Sequence, residues 1–418
     1  MSSYRISLGD MVITIDGGYE LKGCVKISGS KNAALPLICS SLLTKGVVGL
    51  KNIPRIDDVF HLLKILNILN VKTKFKGNTL KIDSRNIKYH HLMTNEVSKI
   101  RGSSYLMSVM LCLFGKCEMS FPGGCNLGAR NLNYHFDAFI ALGCIVDNNN
   151  FIRIELKRNK PHDVCFNNKS VGATINAIIL AGYLGKAIRI YHYANEPEVY
   201  ETINFLRKIG YRIYEMKDYL LLTRRRLKRK LHYQNRYDRI EASSYLMLGA
   251  ISKRLVVKNC PIKDMKEVLR RLKEINLRMK IKRNKIIAKK SCLVGTNVEA
   301  TSYPGFPTDA QPLIAAILTQ AKGTSSIRDT IYPKRFNYAM ALKQMGADVK
   351  NENNMLIIKQ KRLYGAIVKG YDLRGVFAII IAACIATGKT TILDGDIAFR
   401  GYENLILKLK GIGVHINN

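Results

Sequence analysis

"LRKIGYRIYEMKDYLLLT", residues 206–223, reads as the end of an amphipathic helix, a strand, a polar turn and a return strand. The same order recurs along the chain. Helix ends comparable to "LRKIGYRI" occur at "ILNILNVKT" (65–73), "IALGCIV" (140–146), "LKEINLRM" (272–279), "LKQMGADV" (342–349) and "LKGIGVHI" (409–416). Five of the six run on into a hairpin of two β-prone runs, as in "LRMKIKRNKIIA" (277–288). Upstream of each lies an apolar helical run, a Gly/Lys turn and a β-rich stretch, as in "GYLGKAIRI" (182–190) and "IATGKTTIL" (385–393). The series advances by about 70 residues per step, so the chain holds six βαβαββ-like units. The sixth stops at "GVHINN" without a return strand, and "YRISLGDMVITI" (4–15) is expected to supply it. The expected architecture is therefore α/β, with residues 31–236 as one domain and residues 1–30 plus 237–418 as the other. A cleft between two such globules is the default ligand site.

Composition narrows the classes. A chain of 418 residues, 47% hydrophobic, can bury a substantial core. The start "MSSYRISLGD" lacks a signal-peptide pattern, and "VFAIIIAACIA" is far shorter than the ~20 residues a membrane span requires. These features predict a soluble cytoplasmic protein. The ten cysteines sit mostly in apolar contexts, with no CxxC pair and no zinc spacing, which predicts reduced thiols and no metal. The net charge of +36 raises the question of nucleic acid, with "RRRLKRK" (224–230) the densest run. The excess runs along the whole chain, and "KIKRNKIIAKK" (280–290) reads as ordinary exposed positions, so no nucleic-acid partner is expected. "ACIATGKTTIL" (383–393) imitates the end of a P-loop, but Ala383 stands in place of the first glycine and a strand follows the Lys-Thr.

Function is expected where a unit departs from the others. "SGSKNAALPL" (28–37) sets Lys31 and Asn32 at a helix entrance, where free backbone N–H groups and a cation make an anion site; the alternative is a capped core helix with a solvated lysine. "FPGGCNLGAR" (121–130) puts Cys125 on a glycine turn ahead of Arg130 and a helix, a setting that favours thiolate and a mobile lid. "YDRIEASSYL" holds Asp238, Arg239 and Glu241, "GFPTDAQPL" puts Asp309 on a turn before an apolar helix, and "YDLRG" and "FRGYE" contribute Arg374 and Arg400. Several cations with one turn Asp and one turn Cys point to a polyanionic substrate and acid–base work.

Taken in order, "SGSKNAALPL", "PGGCNLGAR", "KSVGAT", "NEPEVYETINFL", "DRIE", "FPTDAQ", "YDLRG" and "RGYE" closely resemble the UDP-N-acetylglucosamine enolpyruvyl transferases, over essentially the full chain. The resemblance implies a pair of inside-out α/β barrels with three repeats each and an active site in the interdomain cleft. It implies transfer of enolpyruvate from phosphoenolpyruvate to the 3-hydroxyl of UDP-N-acetylglucosamine with release of phosphate. That is the first committed step of peptidoglycan synthesis, tied to cell shape and division. It implies no metal and no cofactor, and leaves the oligomeric state open, with a monomer among the options. Cys125 becomes the proton donor, able also to form an adduct with phosphoenolpyruvate and to be alkylated by fosfomycin. Catalytic roles fall to Cys125, Asp309, Lys31 and Arg400, with Asp309 as base at, or orienter of, the sugar hydroxyl. Phosphoenolpyruvate would meet Lys31, Asn32, Arg130, Arg374 and Arg400. The sugar nucleotide would meet Arg101, Arg130, Asn131, Leu132, Asn133, Ser170, Val171, Asp309 and Ile331, while Glu196 and Glu198 would support the site from behind.

Some positions depart from the family pattern. Arg130-Asn131-Leu132-Asn133 replaces Arg-Pro-Val/Ile-Asp, Asn168 stands at the usual lysine, Lys169 precedes Ser170, Pro333 replaces a polar residue, and Phe399 replaces the Asp before Arg400. The nearest rivals are the sister transferase acting on shikimate 3-phosphate, which lacks the lid cysteine, and a basic nucleic-acid-binding repeat protein. An RNA-terminal phosphate cyclase would need a nucleophilic His in a recognisable loop, and the eight His are scattered.

Overall fold

The computed structural model describes residues 12–124, 132–157, 160–223 and 227–417. They form two compact units that divide after Ile27 and after Asp238. The middle-chain unit holds the described residues of 28–238. The end-chain unit holds 12–27 and 239–417.

In the middle-chain unit the strand Val47–Lys51 pairs antiparallel with Thr79–Asp83, and that strand pairs with Lys72–Lys76. On its other side Val47–Lys51 takes Lys230–Gln234 as a parallel neighbour, so the stretch after the third repeat completes the sheet of the first. The second sheet is Lys116–Met119, Ile152–Leu156 and Cys144–Asp147, with Leu92 bridging Met119 in parallel at the position of a fourth strand. The third runs Arg212–Glu215, Tyr219–Thr223, Ile188–Tyr191, Val164–Cys165. Three helices, Lys31–Ser41, Tyr105–Phe114 and Val171–Leu184, are apolar on nearly every side and are buried accordingly. Tyr105–Phe114 packs against both of the others. The amphipathic helices Asp57–Ile68, Asn133–Ala141 and Pro197–Ile209 bury one face only. Gly182 marks a close approach: a Cβ there would lie 2.3 Å from the Tyr211 ring, so nothing larger fits between helix and strand.

The end-chain unit repeats the plan. Its buried helices, Arg239–Gly249, Gln311–Leu318 and Leu373–Ile385, pack on one another in all three pairs. One sheet takes Lys22–Lys26 in parallel beside Arg254–Lys258, followed by Lys285–Lys289 and Arg278–Lys282. The next runs Asn297–Ala300, Thr324–Asp329, Met355–Lys359, Asp348–Glu352. In the last, Ile13–Asp16 pairs antiparallel with both Lys389–Leu393 and His415–Asn417. This is the return strand that the sixth repeat lacks, and it sends Ile13 and Ile15, both fully buried, into the core. Residues up to Met11 of the same motif lie outside the described residues. The P-loop imitation is the end of the helix Leu373–Ile385 followed by the strand Lys389–Leu393, so no phosphate-binding helix follows its Lys-Thr.

Candidate active site

Sequence-picked residues collect at the N-terminal ends of the buried helices. In the middle-chain unit, Ser30 caps Lys31–Ser41 by accepting from the Ala33 N–H at 3.3 Å. Asp238 accepts from the backbone N–H of Lys31 at 3.0 Å. The Lys31 ammonium itself lies 2.8 Å from a carboxylate oxygen of Asp58, in the first turn of Asp57–Ile68. Lys31 is 9% exposed and Asp58 2%, so this is a buried ion pair, and the solvated lysine of the alternative reading is excluded. Asn32, next along the helix, is half-buried.

Arg101 opens the 3-10 stretch Arg101–Ser104 ahead of Tyr105–Phe114, and its guanidinium donates to the Pro122 carbonyl at 3.3 Å. Ser170 caps Val171–Leu184 by accepting from the Ala173 N–H at 3.4 Å, with Val171 half-buried as the first helical residue. Asn176 of that helix donates to the Ser104 carbonyl at 3.0 Å, accepts from the Ser108 hydroxyl at 2.6 Å, and lies 2.8 Å from Nδ1 of His135. Burial, with the charge of Arg101 adding to it, pushes the His135 pKa down to about 3, so the ring is neutral. Leu132 is buried, and Asn133 begins the helix Asn133–Ala141. Asn168 donates to the Tyr134 hydroxyl at 2.9 Å, and Glu198 is buried in the first turn of Pro197–Ile209, behind Glu196 as its cap residue. Cys125, Arg130 and Asn131 lie outside the described residues.

In the end-chain unit the centre is Arg335, 3% exposed. One arm donates to Asp309 at 2.9 Å and to the Thr308 hydroxyl at 3.3 Å; the other donates to Asp372 at 3.1 Å. Asp372 caps Leu373–Ile385 by accepting from the N–H groups of Arg374 and Gly375 at 3.0 and 3.3 Å. The guanidinium of Arg374, 1% exposed, approaches the second oxygen of Asp309 at 3.5 Å and lies 5.0 Å from the Tyr402 ring centre. Each Asp309 oxygen therefore faces a guanidinium, which fixes the carboxylate plane. Burial alone would lower the Arg335 pKa; the carboxylates of Asp309 and Asp372 more than reverse that, holding the cation. Asp329 accepts from the Thr308 hydroxyl at 2.5 Å and from the N–H groups of Ile331 and Tyr332 at 2.9 Å, so burial raises its pKa against those bonds. Ile331 thus uses its own N–H to hold this turn while its side chain stands 37% exposed. Arg400 ends the 3-10 stretch Gly395–Arg400, which packs on Leu373–Ile385. Arg239 lies over the Tyr303 ring, and Glu241 pairs with Lys408 at 2.5 Å.

Three residues escaped the sequence reading: Asp58, Arg335 and Asp372. Asp372 lies in the quoted "YDLRG", Asp58 in the helix start "RIDDVF", and Arg335 four residues after Ile331 in "DTIYPKRF". Cations at helix N-termini add to the positive field of those termini, which suits anionic ligands. A carboxylate clamped by two guanidiniums is a positioned hydrogen-bond acceptor for a hydroxyl.

Comparison with known proteins agrees. The pattern of the family described as EPSP synthase (3-phosphoshikimate 1-carboxyvinyltransferase) matches residues 15–409. A protein of Staphylococcus epidermidis named UDP-N-acetylglucosamine 1-carboxyvinyltransferase 2 is 36% identical over 411 residues, covering 97% of this chain and 98% of that one. The protein of the same name from Staphylococcus aureus is 36% identical over 412 residues, with the same coverage. Among solved structures, the enolpyruvyl transferase NikO from Streptomyces tendae superposes with a TM-score of 0.90 at 21% identity, covering 98% of this chain and 99% of that one. EPSP synthase from Acinetobacter baumannii gives 0.75 at 15%, covering 97% and 100%. The fold is the two-domain inside-out α/β fold of these proteins. Repeat plan, charged helix ends and whole-length relatives lead to one assignment: the chain belongs to the EPSP synthase family of carboxyvinyl transferases.

Proposed function

We propose that the protein transfers enolpyruvate from phosphoenolpyruvate to the 3-hydroxyl of UDP-N-acetylglucosamine, releasing phosphate, in peptidoglycan precursor synthesis. The observation that carries this is full-length similarity to transferases named for that sugar nucleotide, in a chain whose buried helix ends bear Lys31, Asp309 and Arg374. In the addition step the sugar hydroxyl oxygen bonds to C2 of phosphoenolpyruvate and gives up its proton, with Asp309 holding or accepting it. Cys125 delivers a proton to C3, giving a tetrahedral ketal. In the elimination step C3 loses a proton and the C2–O bond to phosphate breaks, restoring the double bond. Lys31 and Arg374, with Asn32, Arg130 and Arg400, would neutralise the carboxylate and phosphate of phosphoenolpyruvate. Arg101, Leu132, Asn133, Ser170, Val171, Ile331 and Asn131 would hold the sugar nucleotide.

Phosphate release from phosphoenolpyruvate tests the reading. It should require UDP-N-acetylglucosamine, ignore shikimate 3-phosphate, and fall at least ~100-fold in Cys125→Ser. Release that does not depend on the sugar nucleotide, or an unaffected variant, would overturn it. Fosfomycin should label Cys125, as read by peptide mass spectrometry.

A further inference from the structure

The positive charge is not evenly distributed over the sheets. In the end-chain unit the sheet built on Arg254–Lys258 turns Val25, Leu255, Val257, Ile286 and Ala288 into the core. Alternation sends every other residue outward. Strand register then puts Lys22 and Lys26 beside Arg254 and Lys258 on one outer face. The same face continues through Lys285 and Lys289 to Arg278, Lys280 and Lys282 on the edge strand. Nine cations share one four-stranded face with no carboxylate among its outward residues, and none of the nine forms an ion pair within the described residues. The neighbouring sheet of the same unit shows the ordinary case: Arg328, Lys350 and Lys359 alternate outward with Glu299, Asp348 and Glu352.

Nine unneutralised like charges repel one another, a cost that a bound polyanion removes. Cations along one strand stand ~6.6 Å apart and neighbouring strands ~4.8 Å apart, a lattice that can meet consecutive phosphates of a nucleic-acid backbone. The only outward non-cationic positions, Cys24, Val256 and Ile287, form one short row set among the charges, with no aromatic side chain. Without bulky apolar side chains to insert, the face lacks an anchor for a lipid surface; without aromatics, it lacks platforms for unstacked bases. What remains is backbone contact with a duplex.

We propose that this face is a sequence-independent docking surface for the phosphate backbone of double-stranded nucleic acid. It departs from the expectation, drawn from the sequence, that "KIKRNKIIAKK" is ordinary surface and that no nucleic-acid partner exists. The experiment uses the full-length protein and a labelled mixed-sequence RNA duplex of ~20 base pairs, followed by anisotropy between 50 and 200 mM salt. The variant Lys22→Gln/Arg254→Gln/Lys280→Gln/Lys282→Gln is compared with a charge-matched control, Lys350→Gln/Lys359→Gln/Lys369→Gln/Lys389→Gln. The first should lose at least ~10-fold in affinity at 100 mM salt and flatten the salt slope by up to about 3.6, ~0.9 for each of four lost contacts, while the control loses less than ~2-fold. Phosphate release should be unchanged in both, which separates failure of this surface from failure of the transferase reading. Equal losses in the two variants would assign binding to net charge and overturn the site. Vesicles containing phosphatidylglycerol serve as the second probe; retention on vesicles with no duplex binding would also overturn it.

Discussion

In the middle-chain unit one ammonium, Lys31, faces one carboxylate, Asp58, at 2.8 Å, and its backbone N–H is taken by Asp238. In the end-chain unit a guanidinium, Arg335, is forked between Asp309 and Asp372, and a second guanidinium, Arg374, closes on Asp309 from the other side. Both centres sit at the starts of buried helices, yet they differ in how freely the charge can change partners. A lysine is a point charge on a flexible stem with three rotatable donors, so it can leave Asp58 in part for an incoming phosphate. Arg335 is held by geometry on both arms and has no such freedom. The difference teaches that one unit presents an exchangeable cation, while the other presents a fixed carboxylate.

The largest test of that contrast is Arg335→Met. It removes the cation that Asp309 and Asp372 share, and equilibrium urea unfolding should show a loss of about 3–5 kcal/mol. Adding Asp372→Asn should restore part of it, because one of the two carboxylates that lost the cation is then neutral. If the single variant loses less than ~1 kcal/mol, the fork is not a fixed structural element. Next in size is Lys31→Met, which takes the ammonium away from Asp58 and should cost about 2–3 kcal/mol. Here Asp58→Asn in the same chain should recover stability but not turnover. Recovery of both would reduce Lys31 to a structural residue and erase the distinction.

A third effect, small near neutral pH and growing as pH falls, belongs to the middle-chain unit. The neutral His135 ring contributes stability that is complete above its ordinary pKa of 6.5 and is lost as pH falls towards about 3. Within that window the unfolded chain holds one more proton at this site. His135→Gln should therefore flatten the acid limb of stability against pH by up to about 1.4 kcal/mol per pH unit. An unchanged limb would place the acid sensitivity elsewhere. The smallest expected effect is Ser30→Ala: loss of the cap on Lys31–Ser41 should cost about 1 kcal/mol and leave the Arg335 centre untouched.

Much of this is legible in the amino-acid sequence itself. Helix ends such as Gly210 and hairpins such as 277–288 carry their own local signals, so six repeats could be counted from the chain alone. The strand missing after "GVHINN" points to the N-terminal stretch, and Ile13–Asp16 fills that place. Partnerships were harder to see. Lys31 and Asp58 are brought together by two different helices, and Arg335 reads as one more basic residue until the turns bearing Asp309 and Asp372 close around it. The charged sheet face was hidden for the same reason. Lys280, Lys282, Lys285 and Lys289 alternate as any exposed strand would, and only the register of four strands gathers them beside Lys22 and Arg254. Cys125, the residue that most directly suggested chemistry, lies outside the described residues.

The strand Ile13–Asp16 has a consequence for biogenesis. It must wait for Lys389–Leu393 and His415–Asn417, far later in the chain, before its backbone finds partners. The middle-chain unit has no such debt, since Lys230–Gln234 already closes the sheet begun at Val47. During synthesis the interior of the chain can therefore settle first. Ile13–Asp16 stays without strand partners until those two segments have been made, and that interval is when the nascent protein is most open to mispairing or to a chaperone's grip.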